Sequence, residues 1–108
     1  MDEDGDATEF DWDGGNAEKN WLRYRVSQSE SEQVFFNRPL VVTEDELHSR
    51  GESRHLALGR TDRGRLLVIV YTLRGEKIRV ISARDMTRRE QKEYEHARTR
   101  EFAADPEV

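Results

Sequence analysis

From residue 40 onward the apolar residues come in short runs broken by glycine, which is the pattern of a strand meander. Leu40–Thr43, Arg54–Thr61, Arg65–Leu73 and Lys77–Arg84 predict four strands. Asp62-Arg63-Gly64 and Arg74-Gly75-Glu76 read as hairpin turns between the last three. Leu66–Tyr71 is apolar on both faces, which predicts a central strand covered on both sides. Glu44–Glu52 is polar, holds a glycine and reads as a loop. Upstream, Glu9–Asp13 alternates acidic and aromatic residues, with Phe10 and Trp12 on one face of a short edge strand. Asp13 can cap a helix over Gly14–Arg25, whose Ala17, Trp21 and Tyr24 have the spacing of a core-facing stripe. Ser27 and Ser29 each stand three residues before a glutamate, so a capping box opens a second short helix at one of them. That helix ends in Val34-Phe35-Phe36 and is stopped by Asn37-Arg38-Pro39. Thr87-Arg88-Arg89-Glu90 opens the last helix with another capping box, Met86 standing as its staple residue. Tyr94 and Ala97 mark its inner face, and it frays before Pro106. The expected fold is α+β: a small twisted antiparallel sheet packed against N-terminal helices and a C-terminal helix.

Length adds that this is one domain, because 108 residues can enclose a single core. Residues 1–8 read as a disordered acidic arm, 9–100 as the folded domain and 101–108 as a frayed tail. The chain has no cysteine, which excludes disulfides and thiolate metal sites. No apolar run approaches the roughly 20 residues needed to span a bilayer. The N-terminus is acidic rather than signal-like, so the cytoplasm is the expected compartment.

Charge changes the picture further. The net charge is -5, yet it is unevenly spread. Residues 1–13 hold seven acidic side chains and no basic one, whereas residues 54–100 hold 13 Lys/Arg against 6 Asp/Glu. Screening over about 8–10 Å lets a basic face act independently of a distant acidic tail. A polyanion partner is therefore expected despite the low isoelectric point. The arm either folds back over the basic face to compete with RNA or serves as a solubilising tail.

His48, His55 and His96 form no HxxH or HExxH frame, so no metal is expected. No serine–histidine–aspartate set or glycine-rich phosphate loop is present either, and no cofactor is expected. The arginines carry the chemistry. Arg54, Arg79 and Arg84 lie in or at the ends of strands, and a guanidinium suits a bidentate grip on phosphate. Positions 79 and 84 have opposite parity, so a regular strand would point them to opposite faces. A bulge or strand end near Ser82 would be needed to reorient Arg84. The plainer reading pairs each arginine with a carboxylate, Glu52, Glu90 or Asp85, and packs its stem on the sheet. The three together point to a shared anion site. Arg23, Arg88, Arg89 and Lys92 extend that charge along helices, as a solvated face or as a groove for an RNA backbone.

Seven stations in order resemble the BrnT toxins of type II toxin–antitoxin systems. They are FDWD (Phe10–Asp13), Glu18-Lys19-Asn20, VFFNRPL (Val34–Leu40), Glu52-Ser53-Arg54, LALGRT (Leu56–Thr61), GRLLVIVYTLRG (Gly64–Gly75) and IRVISARDMTRRE (Ile78–Glu90) with Tyr94. The resemblance implies a RelE-like fold and a metal-independent endoribonuclease that blocks translation. It also implies a ribbon-helix-helix antitoxin similar to BrnA, with operator DNA bound only through that antitoxin. On this basis Arg79 and Arg84 are expected to hold the phosphate and its transition state, supported by Arg54. Lys19, Glu90 and Tyr94 are candidates for proton transfer or its orientation, with Glu90 also a cap and Tyr94 also a core residue. Arg23, Arg88, Arg89 and Lys92 are the expected RNA-binding set. The chain departs from the family at the end of the first helix, where a basic-His-Gly run becomes Arg23-Tyr24-Arg25. That departure supports an alternative: an inactive homologue that binds antitoxin and tunes repression. A plain RNA-binding domain is a third reading, weakened because exposed stacking aromatics are not evident in the pattern.

Overall fold

The computed structural model describes residues 9–45 and 53–103. Residues 1–8, read above as an acidic arm, residues 46–52 of the expected loop, with His48 and Glu52, and residues 104–108 of the expected tail lie outside them. In chain order the elements are β1 (Glu9–Phe10), α1 (Gly14–Tyr24), α2 (Gln28–Val34), β2 (Val41–Glu44), β3 (His55–Arg60), β4 (Leu66–Arg74), β5 (Lys77–Asp85) and α3 (Arg88–Ala103). The fold is α+β, with one five-stranded sheet in the order β1-β5-β4-β3-β2. Strands β2 to β5 pair antiparallel, and β1 joins β5 in parallel. The apolar run in β4 is central, as its two-sided hydrophobicity requires.

Each face of the sheet has its own core. One gathers Val26, Val34, Phe35, Ala57, Leu67, Ile69, Tyr71, Val80 and Ala83 beneath the N-terminal helices. The other is smaller, with Leu58, Val68 and Met86 around Tyr94 of α3. Helix α2 presses so closely on β3 that a Cβ on Gly59 would stand 2.6 Å from Val34 Cγ1. Ser27 rather than Ser29 caps α2: its hydroxyl accepts from the Glu30 N–H, and the Glu30 carboxylate accepts from the Ser27 N–H. Thr87 and Glu90 form the same box at α3, which runs to Ala103, past the expected domain boundary at residue 100.

Helix α1 departs from the expected packing. Its buried residues are Asn16 and Asn20, while Trp21 is 47% and Tyr24 37% exposed. The reason is backbone accounting. Strand β1 covers β5 only at Lys77 and Ile78, which leaves the upper part of the β5 edge without a strand partner. Buried amide groups must be paired, and α1 lies along that edge to pair them. Asn16 donates through Nδ2 to the Val80 carbonyl at 3.0 Å, and the Ala83 N–H donates to Asn20 Oδ1 at 3.2 Å. The polar side of the helix therefore turns inward, and the aromatic stripe is left on the outside.

Arg65 joins the elements at the other end of α1. Its guanidinium is bidentate on Asp85, at 2.8 and 3.1 Å, and reaches both oxygens of Glu30 at 3.2 Å. It also donates to the carbonyls of Tyr24 at 3.1 Å and Arg25 at 2.8 Å. Those carbonyls close a helix whose C-cap, Arg25, sits in the left-handed region at φ 55°.

Asn20→Ala will strand the Ala83 N–H at a buried position. The expected loss is about 1–3 kcal/mol, outweighing the better helix propensity of alanine. Urea denaturation of the two proteins measures it, and an unchanged midpoint would refute the edge-pairing account.

Candidate nucleic-acid interface

Opposite each other on β4 and β5 stand Thr72 and Arg79, Val70 and Ser82, and Val68 and Arg84. The register shifts between Val70 and Tyr71, because Tyr71 pairs with Val80 and Ile81 is the extra residue. That bulge cancels the parity difference between 79 and 84. Paired residues share a face, and 68, 70 and 72 lie on one side of β4, so both arginines project from that side of the sheet. Continuing the β3–β4 register one residue past His55 and Tyr71 sets Arg54 opposite Thr72, on the same face. Strand spacing then puts the Cα atoms of Arg54 and Arg79 about 10 Å apart, and those of Arg79 and Arg84 about 13 Å apart.

The three arginines share a face but do not meet at a point. Arg79 donates from Nη2 to Asp13 Oδ2 at 2.8 Å, and its Nη1 lies 3.5 Å from Asp11 Oδ1. The bond to Asp13 raises the pKa of Arg79, and the same bond, with the Asn16 N–H, lowers that of Asp13. Arg84 grips Glu90 with two parallel bonds of 2.9 Å. That fork, joined by the Thr87 N–H, brings the Glu90 carboxyl down to about 2. Lys19 lines a shallow pocket of about 370 Å³ with Asp13, Asn16, Arg79 and Ile81, so these two expected site residues do come together. Arg84 and Glu90 do not line that pocket.

Other expected site residues are placed elsewhere. Tyr94 is fully buried and donates its hydroxyl to the Pro39 carbonyl at 2.8 Å, the core position that the sequence also allowed, and it lines a pocket of about 480 Å³ with Glu90 and Leu58. Glu90 caps α3 and holds Arg84, and a carboxyl near 2 is too weak a base for general-base work at neutral pH. Arg88 and Lys92 line a separate shallow pocket on α3 with Leu66, Gln91 and His96, and Arg89 is exposed. Arg23 stands near the end of α1, its guanidinium 5.9 Å from the Tyr24 ring centre. The Glu90 bond raises the Arg84 pKa, and Arg65 ties the Tyr24 carbonyl to Asp85, the next residue. Sequence reasoning missed the roles of Asp11 and Asp13, which read as strand and cap. Their signal was the acidic alternation itself, parallel to a basic strand.

Among the described residues no group of three His, Asp or Glu side chains could hold a metal ion. No helix there is long and apolar enough to cross a membrane. The molecule is thus a small α+β protein that presents arginines on one face of its sheet, the two on β5 each tied to acids. Residues 12–90 match a family model described as "Ribonuclease toxin, BrnT, of type II toxin-antitoxin system". The chain belongs to this BrnT family, whose type implies an RNA substrate and an antitoxin partner. No curated protein matches the chain.

The Glu90 carboxyl titrates near 4.5 when unfolded and about 2 when folded. Its contribution is therefore complete above about pH 4.5 and lost as the pH falls through 2. Partial exposure reduces it to the order of 1–3 kcal/mol. Glu90→Gln should be less stable at pH 6, with a shallower fall in stability between pH 4.5 and pH 2. Parallel acid titrations by circular dichroism test this, and identical slopes would sink it.

Proposed function

We propose that this chain is a metal-independent endoribonuclease that cuts RNA on the β5 side of the sheet and so blocks translation in the cytoplasm. The observation that supports it is the Ile81 bulge, which sets Arg79 and Arg84 on one face with Arg54, while Lys19 lines the pocket beside Arg79. In this reading the substrate supplies its own nucleophile. The 2′-oxygen attacks phosphorus and the bond to the 5′-oxygen breaks, leaving a cyclic phosphate and a free 5′-hydroxyl. The 2′-proton passes to water and the 5′-oxygen is protonated by Lys19, the remaining candidate once Tyr94 and Glu90 are set aside.

Arg79 takes the scissile phosphate by exchanging Asp13 for it. The exchange costs little, because an ion pair this exposed is worth about 0–1 kcal/mol. Arg84 and Arg54 stand too far along and across the sheet to share that contact through their backbones, and they hold adjoining phosphates. Fixed positive charge at the developing phosphorane supplies several kcal/mol and alignment a similar amount, which is how such an enzyme works without a strong base. A BrnA-like ribbon-helix-helix antitoxin neutralises the toxin and carries the complex to operator DNA.

One observation favours a second reading. Arg79 and Arg84 are each already tied to their own acids, and Tyr24 stands where the resemblance places a histidine. On that reading the chain holds antitoxin and tunes repression without cutting RNA. Expression of the chain alone separates the two, since growth arrest with cut transcripts requires the enzyme.

Arg79→Ala with Arg84→Ala should lower cleavage of a single-stranded RNA by at least 100-fold (about 2.7 kcal/mol). Arg84→Lys, which keeps the charge at α3, controls for folding by its thermal midpoint. Cleavage at the parental rate by the double variant would remove β5 from the mechanism.

A further inference from the structure

Trp21 and Tyr24 are the features that the catalytic reading leaves unexplained. Both rings stand on the last two turns of α1, 47% and 37% exposed, although the rest of the exposed helix surface is polar or charged apart from Leu22. Residues 19–25 carry three cations, Lys19, Arg23 and Arg25, and no acid. None of the three makes an ion pair with a described residue, in contrast to Arg65, Arg79 and Arg84. Instead the Arg25 guanidinium lies 5.3 Å from the Trp21 ring centre and the Arg23 guanidinium 5.9 Å from that of Tyr24. Beside Trp21, a shallow cleft of about 440 Å³ runs between α1 and α2, with Ala17, Glu18, Ser27 and Gln28 in its walls.

We propose that the end of α1 is a stacking platform for unpaired bases of single-stranded RNA, with Trp21 and Tyr24 as the rings and Arg23 and Arg25 as phosphate contacts. The inference rests on the ribonuclease reading for its substrate and adds the site that positions it. Two exposed rings set beside two unpaired guanidinium groups, with Glu18 as the acid at the cleft, match a polyanion that carries planar groups. A duplex hides its base faces, so the platform selects single strands. Arg65 ties the Tyr24 carbonyl to Asp85, the residue after Arg84, so the platform stands beside the Arg84 end of β5. Arg65 holds the Tyr24 and Arg25 carbonyls and so anchors the backbone at the end of α1. Where the resemblance puts a histidine and a glycine, this chain carries Tyr24 and Arg25, a second ring and a second guanidinium.

A short 2′-O-methyl RNA of mixed sequence, which cannot be cut, is the probe. In a Trp12→Phe background Trp21 is the only tryptophan, and its emission should be quenched as this RNA is added. Trp21→Ala with Tyr24→Ala should weaken binding by about tenfold or more, whereas Trp21→Phe with Tyr24→Phe should retain it. With a cleavable strand, the alanine pair should raise KM and leave kcat within about threefold. Arg79→Ala with Arg84→Ala should abolish cleavage yet still allow the quenching, so failure of the catalytic site and failure of the platform are told apart. Parental RNA affinity in the alanine pair, absence of quenching, or equal quenching by a duplex overturns the proposal. So does loss of antitoxin binding with RNA affinity intact, which would make the patch a protein contact.

Discussion

Four segments of this chain end at one guanidinium. The last carbonyls of α1, the capping glutamate of α2 and the final residue of β5 all bond to Arg65, which itself stands at the entry to β4. A guanidinium offers five donors in a rigid plane, which lets one side chain satisfy two carboxylates and two carbonyls together. The helix end it closes has a left-handed cap and leaves carbonyls that would otherwise face a crowded junction. Because Arg65 is still partly exposed, its desolvation cost is modest and the geometry dominates. Position follows from it: the end of α1, with its two rings, is held beside the top of β5.

The second constraint is the outer edge of β5. A strand of only two residues covers its start, and the amides of Asn16 and Asn20 serve the rest. An edge paired by side chains cannot accept another strand, so the fold also blocks edge-to-edge association there. The same pairing turns the aromatic stripe of α1 outward. Burial of polar groups and exposure of rings are thus two sides of one requirement, that no backbone amide be left unpaired.

On the cationic face, stability and function draw on the same groups. Arg79 and Arg84 are held by acids from the start of α1 and of α3, and both acids also cap those helices. A cap and an ion pair sharing one carboxylate keep each arginine oriented before any phosphate arrives. The two pairs differ in strength. The Asp13 pair is the more exposed, while the Glu90 fork is more enclosed and more strongly coupled.

Strand positions, turns and caps were legible in the chain because they rest on local physics: alternation across a pleat, glycine at positive φ, and a hydroxyl three residues before a glutamate. Parity showed that Arg79 and Arg84 could share a face only through a bulge or strand end near Ser82, and the tertiary structure supplied the bulge. The family was written in the order of its stations, from FDWD to the basic strand. What only the tertiary structure decided depends on distant partners. Helical spacing marks Ala17, Trp21 and Tyr24 as a stripe but cannot say that the neighbour is a strand edge wanting amides rather than a sheet face wanting carbon. Nor can it tell that Arg79 would find Asp13, 66 residues away, or that Tyr94 would spend its hydroxyl on Pro39. Local rules choose the elements; which polar groups remain unsatisfied when those elements meet decides how they are turned.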